Sequence, residues 1–328
     1  MTQNRRFGRF AVAAAALVVL PLAACGDDNG ESSGGDTAAA DSPLADADLS
    51  GVSLSVGSKD FDEQLILGNM LADAFEAAGA DVDRKINLGG TNVARAALLS
   101  GEIDSYAEYN GTGWTEHLKQ EDPSSDGEEL TEKVRQMDLE KNDIVWVGRA
   151  PFNNTYGFAT GPDLTEKNGG AFDFDSMAAY LKKNPDAKVC MESEFPSRSD
   201  GLVLFEEATG YTIPKSQQEI QDTGIIYTET QKGNCDFGEV FTTDGRISEL
   251  DLSVVDDGGA MIIYNISINV RKEVYDEAPE AFDTIADAVL GSLDQETMTA
   301  LNEQVSAEGE DPADVAKQHL VDTGLIDG

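Results

Sequence analysis

Tyr109 stands directly behind a β-run and opens a tight turn, Tyr109-Asn110-Gly111-Thr112. An aromatic ring held at the end of a strand offers a face of negative potential, so its counterpart is a cationic or apolar ligand group. The surrounding stretch, Val52–Thr112, reads as strand–helix units placed back to back, and each helix starts just after a polar loop. That arrangement gathers helix N-termini and loop side chains at one edge of a sheet, where α/β proteins hold small ligands.

Residue types for covalent chemistry are sparse. The chain has two histidines, His117 and His319, and neither lies near a Ser or Cys motif that suggests a triad. Residues 30–34 fit G-x-S-x-G, but a nucleophile elbow needs a strand before it and a helix after it, and neither is expected there. No H-E-x-x-H or P-loop occurs. Glu102 and Asp104 read as a solvated strand edge. We therefore expect no enzyme, no cofactor and no metal site. A net charge of −39 over 328 residues excludes nucleic acid as a partner, because phosphate binding needs basic patches. The acids are spread along the chain, which reads as solubility rather than a cation trap.

The N-terminus reads as an export signal. Arg5, Arg6 and Arg9 precede a short apolar run, Phe10–Leu22, too short for a membrane span. Leu22-Ala23-Ala24-Cys25 follows and resembles the bacterial lipobox, in which the cysteine is lipidated and becomes the first mature residue. Residues 1–24 are thus an expected lipoprotein signal, with Cys25 as membrane anchor on the outer face of the cell membrane. Its removal takes three arginines and no acid, so the net charge moves from −39 to −42. Residues 25–50, rich in Gly, Ser, Asp and Ala, read as a flexible tether. Cys190 and Cys235, 45 positions apart in an exported protein, read as a disulfide.

From Val52 the periodicity becomes α/β. Strands are expected at Val52–Gly57, Val82–Leu88, Ile103–Glu108 and Ile144–Gly148, with helices after the first two. Asp60 with Glu63 looks like a capping box, and Thr91 like an N-cap. A second block carries strands at Tyr156–Thr160, Lys188–Met191, near Phe241 and at Leu252–Asp256, and helices at Phe174–Lys183 and Ser199–Thr209. A β-run at Ile262–Val270 precedes a mostly helical end. The chain thus leaves one lobe, builds a second and returns. Lobe 1 is expected over 52–155 plus 263–328 and lobe 2 over 156–262, with a ligand cleft between them and closure by hinge motion.

These residues resemble the substrate-binding proteins of ABC importers for osmoprotectants such as glycine betaine, choline and carnitine. The resemblance rests on Gly57-Ser58-Lys59 with Phe61 and Glu63-Gln64, on Asn87-Leu88-Gly89, on Leu99–Asp104, on Tyr109–Thr112, on Asn154-Thr155-Tyr156, on Arg198–Gly201 and on Thr243–Ile247, in that order across Val52–Leu320. It implies a type II periplasmic-binding-protein fold, two α/β lobes joined by two crossover segments. It also implies a monomer that binds a quaternary ammonium and works with a separate permease and ATPase subunits. No segment of about 20 apolar residues supplies a channel within this chain.

A quaternary ammonium has no conventional hydrogen bond to donate and is recognised by aromatic faces. The resemblance assigns Tyr109, Tyr156 and Tyr264 to such a cage, with Phe241 as a further ring. It assigns Arg198, Lys59 and the Thr112 hydroxyl to the ligand's carboxylate. Asn154 stands where some relatives carry an acid, and its neutrality favours zwitterionic betaines. Leu202 stands where some relatives carry another tyrosine. The alternative is a binding protein for another small solute such as an amino acid, which would use carboxylates in place of rings around the ammonium.

Overall fold

A computed structural model describes residues 37–328. The expected signal 1–24, Cys25 and the start of the tether lie outside the described residues.

Among the described residues, ten strands form two five-stranded sheets. In chain order they are β1 (Ser53–Gly57), β2 (Asp81–Lys85), β3 (Ser105–Tyr109), β4 (Ile144–Val147), β5 (Tyr156–Thr160), β6 (Val189–Met191), β7 (Gln218–Ile220), β8 (Phe237–Phe241), β9 (Ser253–Val254) and β10 (Ile266–Arg271). The first sheet runs β2-β1-β3-β10-β4 and the second β7-β6-β8-β5-β9. β1 is parallel to β2 and β3, whereas β10 runs antiparallel between β3 and β4, with Ile268 opposite both Ala107 and Val147. In the second sheet β6 is parallel to β7 and β8, and β5 is antiparallel to β8 and β9. The chain therefore leaves the first sheet after β4 and returns as β10, as the type II fold requires.

Sequence and burial agree strand by strand. Every residue of β3 is buried, as expected of a strand covered on both faces, while edge strand β2 reads DVDRK and is largely exposed. Helix α1 (Asp62–Ala77) buries Ile66, Leu67, Met70, Leu71 and Phe75 against the first sheet. Helix α2 (Thr91–Ser100) ends at Gly101 with φ 74°, a left-handed cap.

Two caps differ from expectation. The N-cap of α1 is Phe61 with no side-chain bond, and Glu63 turns inward instead of back to Asp60. The N-cap of α2 is Gly90, so Thr91 is the first helical residue and its hydroxyl serves another partner. Helix Thr223–Gln231 and strand β7 were not expected. The helix reads TGIIYTETQ, rich in β-branched residues of poor helix propensity, and burial of Ile226, Tyr227 and Thr230 decides its state.

Part of the segment expected as a tether packs into the fold. Ala38 bridges Ile326, Pro43–Asp46 forms a 3-10 turn capped by Ser42, and Leu44 and Leu49 are fully buried in the core of the first lobe. Two leucines among small and acidic residues are enough to dock the segment. In the second lobe Cys190 and Cys235 are joined as a disulfide.

The two crossovers lie side by side and are laced together. Asn154 N–H donates to Tyr264 O at 3.1 Å. Tyr264 N–H donates to Asn153 Oδ1 at 2.7 Å, and Thr155 Oγ1 to Ile262 O at 2.7 Å. Asn265 Nδ2 donates to Phe152 O at 2.6 Å.

Candidate functional site

The site lies where strand ends and crossovers meet. Tyr109 ends β3. Tyr156 begins β5 and sits opposite Phe241, the last residue of β8. Tyr264 precedes β10 in the second crossover. Phe61 caps α1 and turns its ring the same way.

These five rings form a closed circle. Ring centroids lie 6.2 Å apart for Tyr109 and Tyr264, 5.6 Å for Tyr264 and Tyr156, and 5.2 Å for Tyr156 and Phe241. The circle closes through Phe61, 5.1 Å from Phe241 and 6.3 Å from Tyr109. The two tyrosine–tyrosine contacts are edge-to-face, at 74° and 88°. The circle encloses a small cavity of about 30 Å³, which Lys59, Thr91, Thr112 and Asn154 also line. Burial raises the phenol pKa values of Tyr109, Tyr156 and Tyr264 well above 10, so all three are neutral. The fit is tight: a β-carbon on Gly111 would stand 2.7 Å from Tyr264 Cε1 and 2.9 Å from the backbone oxygen of Ile263.

Seven of the eight sequence-predicted ligand residues line this cavity, and Arg198 stands beside it against Thr91, Thr112 and Tyr156, but the two cations are already engaged. Lys59 Nζ lies 2.6 Å from Glu108 Oε1 and 5.1 Å from the Tyr109 ring centroid. Tyr106 donates to Glu108 Oε2 at 2.8 Å, and His117 Nε2 lies 2.9 Å from the same oxygen. Burial alone would raise the Glu108 carboxyl; the charge of Lys59 and the contact with His117 outweigh it and hold the group well below the usual carboxylate range. Burial also lowers His117 from its ordinary value, against the pull of Glu108. Arg198 turns its fork onto Asp200, with Nε–Oδ1 at 2.7 Å and Nη2–Oδ2 at 2.8 Å. Its outer edge reaches across to Thr91 Oγ1 at 3.1 Å and Thr112 Oγ1 at 3.4 Å.

Asn154 faces the cavity and donates through Nδ2 to Glu63 Oε1 at 2.9 Å. The same oxygen accepts from Tyr109 Oη at 2.8 Å, and Glu63 Oε2 accepts from Thr243 Oγ1 at 2.6 Å and Asn302 Nδ2 at 2.9 Å. Burial raises the Glu63 carboxyl and these four bonds oppose the rise. Leu202 packs in the core of the second lobe and is not among the residues that line the cavity.

Outside the circle a larger cleft of about 520 Å³ shares Lys59, Phe61, Thr91, Tyr156 and Phe241 with it, and adds Glu192, Glu194, Asp222 and Arg246. Sequence reasoning missed Phe61 and Thr91 as wall residues. Phe61 carried a signal: it is a large apolar side chain just ahead of α1, where it contributes nothing to that helix's buried stripe.

Comparison with known proteins identifies the family. Residues 52–322 match the family described as the substrate binding domain of ABC-type glycine betaine transport systems. The chain is 32% identical over 278 residues to the glycine betaine-binding protein YehZ of Escherichia coli, covering 83% of this chain and 90% of that one. It is 34% identical over 284 residues to a glycine-betaine-binding protein of Pseudomonas aeruginosa, covering 84% and 89%. The solved structure of apo YehZ from Escherichia coli superposes with a TM-score of 0.61 at 32% identity, over 83% of this chain and 99% of that one. A glycine betaine/carnitine/choline ABC transporter structure, 24% identical, shares the fold with a TM-score of 0.65 over 83% of this chain and 99% of that one. With the match spanning both sheets and both crossovers, the chain belongs to the family of substrate-binding domains of ABC-type glycine betaine transport systems.

Proposed function

We propose that the protein captures glycine betaine or a close quaternary-ammonium analogue between its lobes and delivers it to a membrane importer. The observation that carries this reading is the closed circle of Tyr109, Tyr264, Tyr156, Phe241 and Phe61. A methylated ammonium inside it meets ring faces and edges on all sides, each desolvated cation–π contact being worth up to ~2 kcal/mol. Three such contacts with one charge-assisted hydrogen bond are of the order of the ~8 kcal/mol of a micromolar site, before ordering and closure costs. The carboxylate end would meet the Thr91 and Thr112 hydroxyls and the outer edge of Arg198, while Lys59 adds a positive potential softened by Glu108. The amino-acid alternative lacks what it needs, since rings rather than carboxylates line the cage.

The protein acts as a monomer outside the membrane, held by a lipid on Cys25. Among the described residues no helix is long and apolar enough to cross a membrane, which fits a permease and ATPase on separate subunits. Isothermal titration calorimetry with glycine betaine, choline, carnitine, proline betaine and a panel of amino acids tests the ligand class. Micromolar binding of a quaternary ammonium is expected. Heat with an amino acid and none with the methylated ammonium compounds overturns the reading.

A further inference from the structure

The ligand contacts proposed above leave Glu63 unused, although it is one of the most thoroughly bonded side chains beside the cage. It is 3% exposed. Its partners are Tyr109, Asn154, Thr243 and Asn302, and no cation forms a salt bridge to it among the described residues. Each carboxylate oxygen meets one amide hydrogen, from Asn154 or Asn302, and one hydroxyl, from Tyr109 or Thr243, that can donate to it, so the set accommodates the ionised carboxylate with four donors. The amide orientations are fixed independently: Asn302 Nδ2 also donates to Thr243 O at 3.0 Å, and Asn154 Oδ1 accepts from Thr243 N–H at 3.4 Å.

The charges around the cage then sum in a particular way. Lys59 is paired with Glu108, and Arg198 with Asp200 and, at 3.6 Å, with Glu194. Glu63 is left as a buried negative charge with no cation of its own, and two of its four donors, Tyr109 and Asn154, are cage walls. A phenol that donates its hydrogen to a carboxylate is polarised toward the phenolate, which makes the ring's π face more negative. At low local dielectric a buried charge of this kind acts over several ångströms.

We propose that Glu63 is the protein's counter-charge to the ligand's cation, acting through Tyr109 and Asn154 and not by direct contact. It is a positioning residue that tunes the cage to a permanent positive charge rather than to an apolar group of the same shape. This rests on the quaternary-ammonium reading above.

The test uses two ligands of one shape, glycine betaine and tert-butylacetate, in which carbon replaces the ammonium nitrogen. Calorimetry, with direct and competition titrations, gives the preference of the wild-type protein for the first over the second. Glu63→Gln, which keeps the size of the side chain, is expected to narrow that preference by about tenfold, the scale of one buried charge acting at a distance. A purely structural role would weaken both ligands alike, so an equal loss for both, or no loss, overturns the inference. Should Glu63→Gln not fold, Tyr109→Phe keeps the ring and removes the link; an unchanged preference there overturns it too. A wild-type protein that binds neither ligand removes the quaternary-ammonium reading itself, a separate outcome from failure of the Glu63 assignment.

Discussion

Arg198 sets one edge of its guanidinium, Nε and Nη2, on Asp200, two residues further along the same loop, in a pair that is nearly inaccessible to solvent. Asp200 also accepts from Thr115 Oγ1 at 2.7 Å, tying this loop of the second lobe to the first. The protein thus carries its own carboxylate beside the place where a ligand's carboxylate would lie.

Removing that carboxylate separates stability from selectivity. Asp200→Asn leaves Arg198 buried with a weaker partner, at a cost of about 3 kcal/mol in urea unfolding. In the folded variant the freed guanidinium favours a ligand that brings a carboxylate. The ratio of glycine betaine to choline affinity, read by calorimetry, should therefore rise, and a ratio that stays put would place the carboxylate elsewhere.

Tyr156 touches three other rings, Phe195, Phe241 and Tyr264, and lies under Arg198. Tyr156→Ala should weaken glycine betaine binding by roughly 30-fold, the equivalent of one ~2 kcal/mol cation–π face. Tyr156→Phe, which retains the face, should bind within a few-fold of wild type. Equal binding by the Ala variant would remove Tyr156 from the cage.

The Lys59–Glu108–His117 cluster makes stability depend on pH. Glu108 is held below its ordinary value, so its contribution is complete above the usual glutamate pKa of about 4.3 and is lost as the pH falls from there towards its lower native value. His117 acts in the same direction, because burial lowers its pKa and the unfolded chain takes up its proton first, near pH 6.5. Urea midpoints should therefore fall steadily from pH 7 to pH 3. Glu108→Gln should flatten the part of that slope below pH 5, and an unaltered slope would assign the acid sensitivity to other carboxylates.

The segment ahead of β1 belongs to the fold. Leu44→Ala should cost about 2–4 kcal/mol of stability, as for a fully buried leucine. A chain that starts at residue 51 should lose at least as much. If either melts like wild type, residues 43–49 are a tether after all.

Much of this architecture is legible in the residues themselves. The strand–helix alternation and the exit after β4 and return at β10 follow from local pattern; the turn expected at Tyr109-Asn110-Gly111-Thr112 does not form, because Asn110–Thr112 is helical with Tyr109 as its N-cap and the helix runs on through Gly113–His117. The charge partners do not follow from local pattern. Lys59 and Glu108 are 49 positions apart, and Glu63 meets Thr243 and Asn302 at separations of 180 and 239. Nothing local in Asp60-Phe61-Asp62-Glu63 distinguishes a helix cap from a buried acid, and the capping reading fails because tertiary donors outcompete the backbone. Helix Thr223–Gln231 escapes for a similar reason, since packing overrides its composition.

The insertion of β10 between β3 and β4 has a consequence for how the chain folds. The second lobe is one continuous stretch, with both cysteines of its disulfide inside it, so it can fold as soon as that stretch is available. The first sheet cannot close then, because β10, the strand that joins β3 to β4, lies more than 100 residues beyond β4. Until residue 266 arrives, β3 and β4 each present an unpaired edge, a slow, long-range pairing of the kind that exposes intermediates to aggregation. We expect the lobe that is second in sequence to form first and the lobe that begins the chain to be completed last.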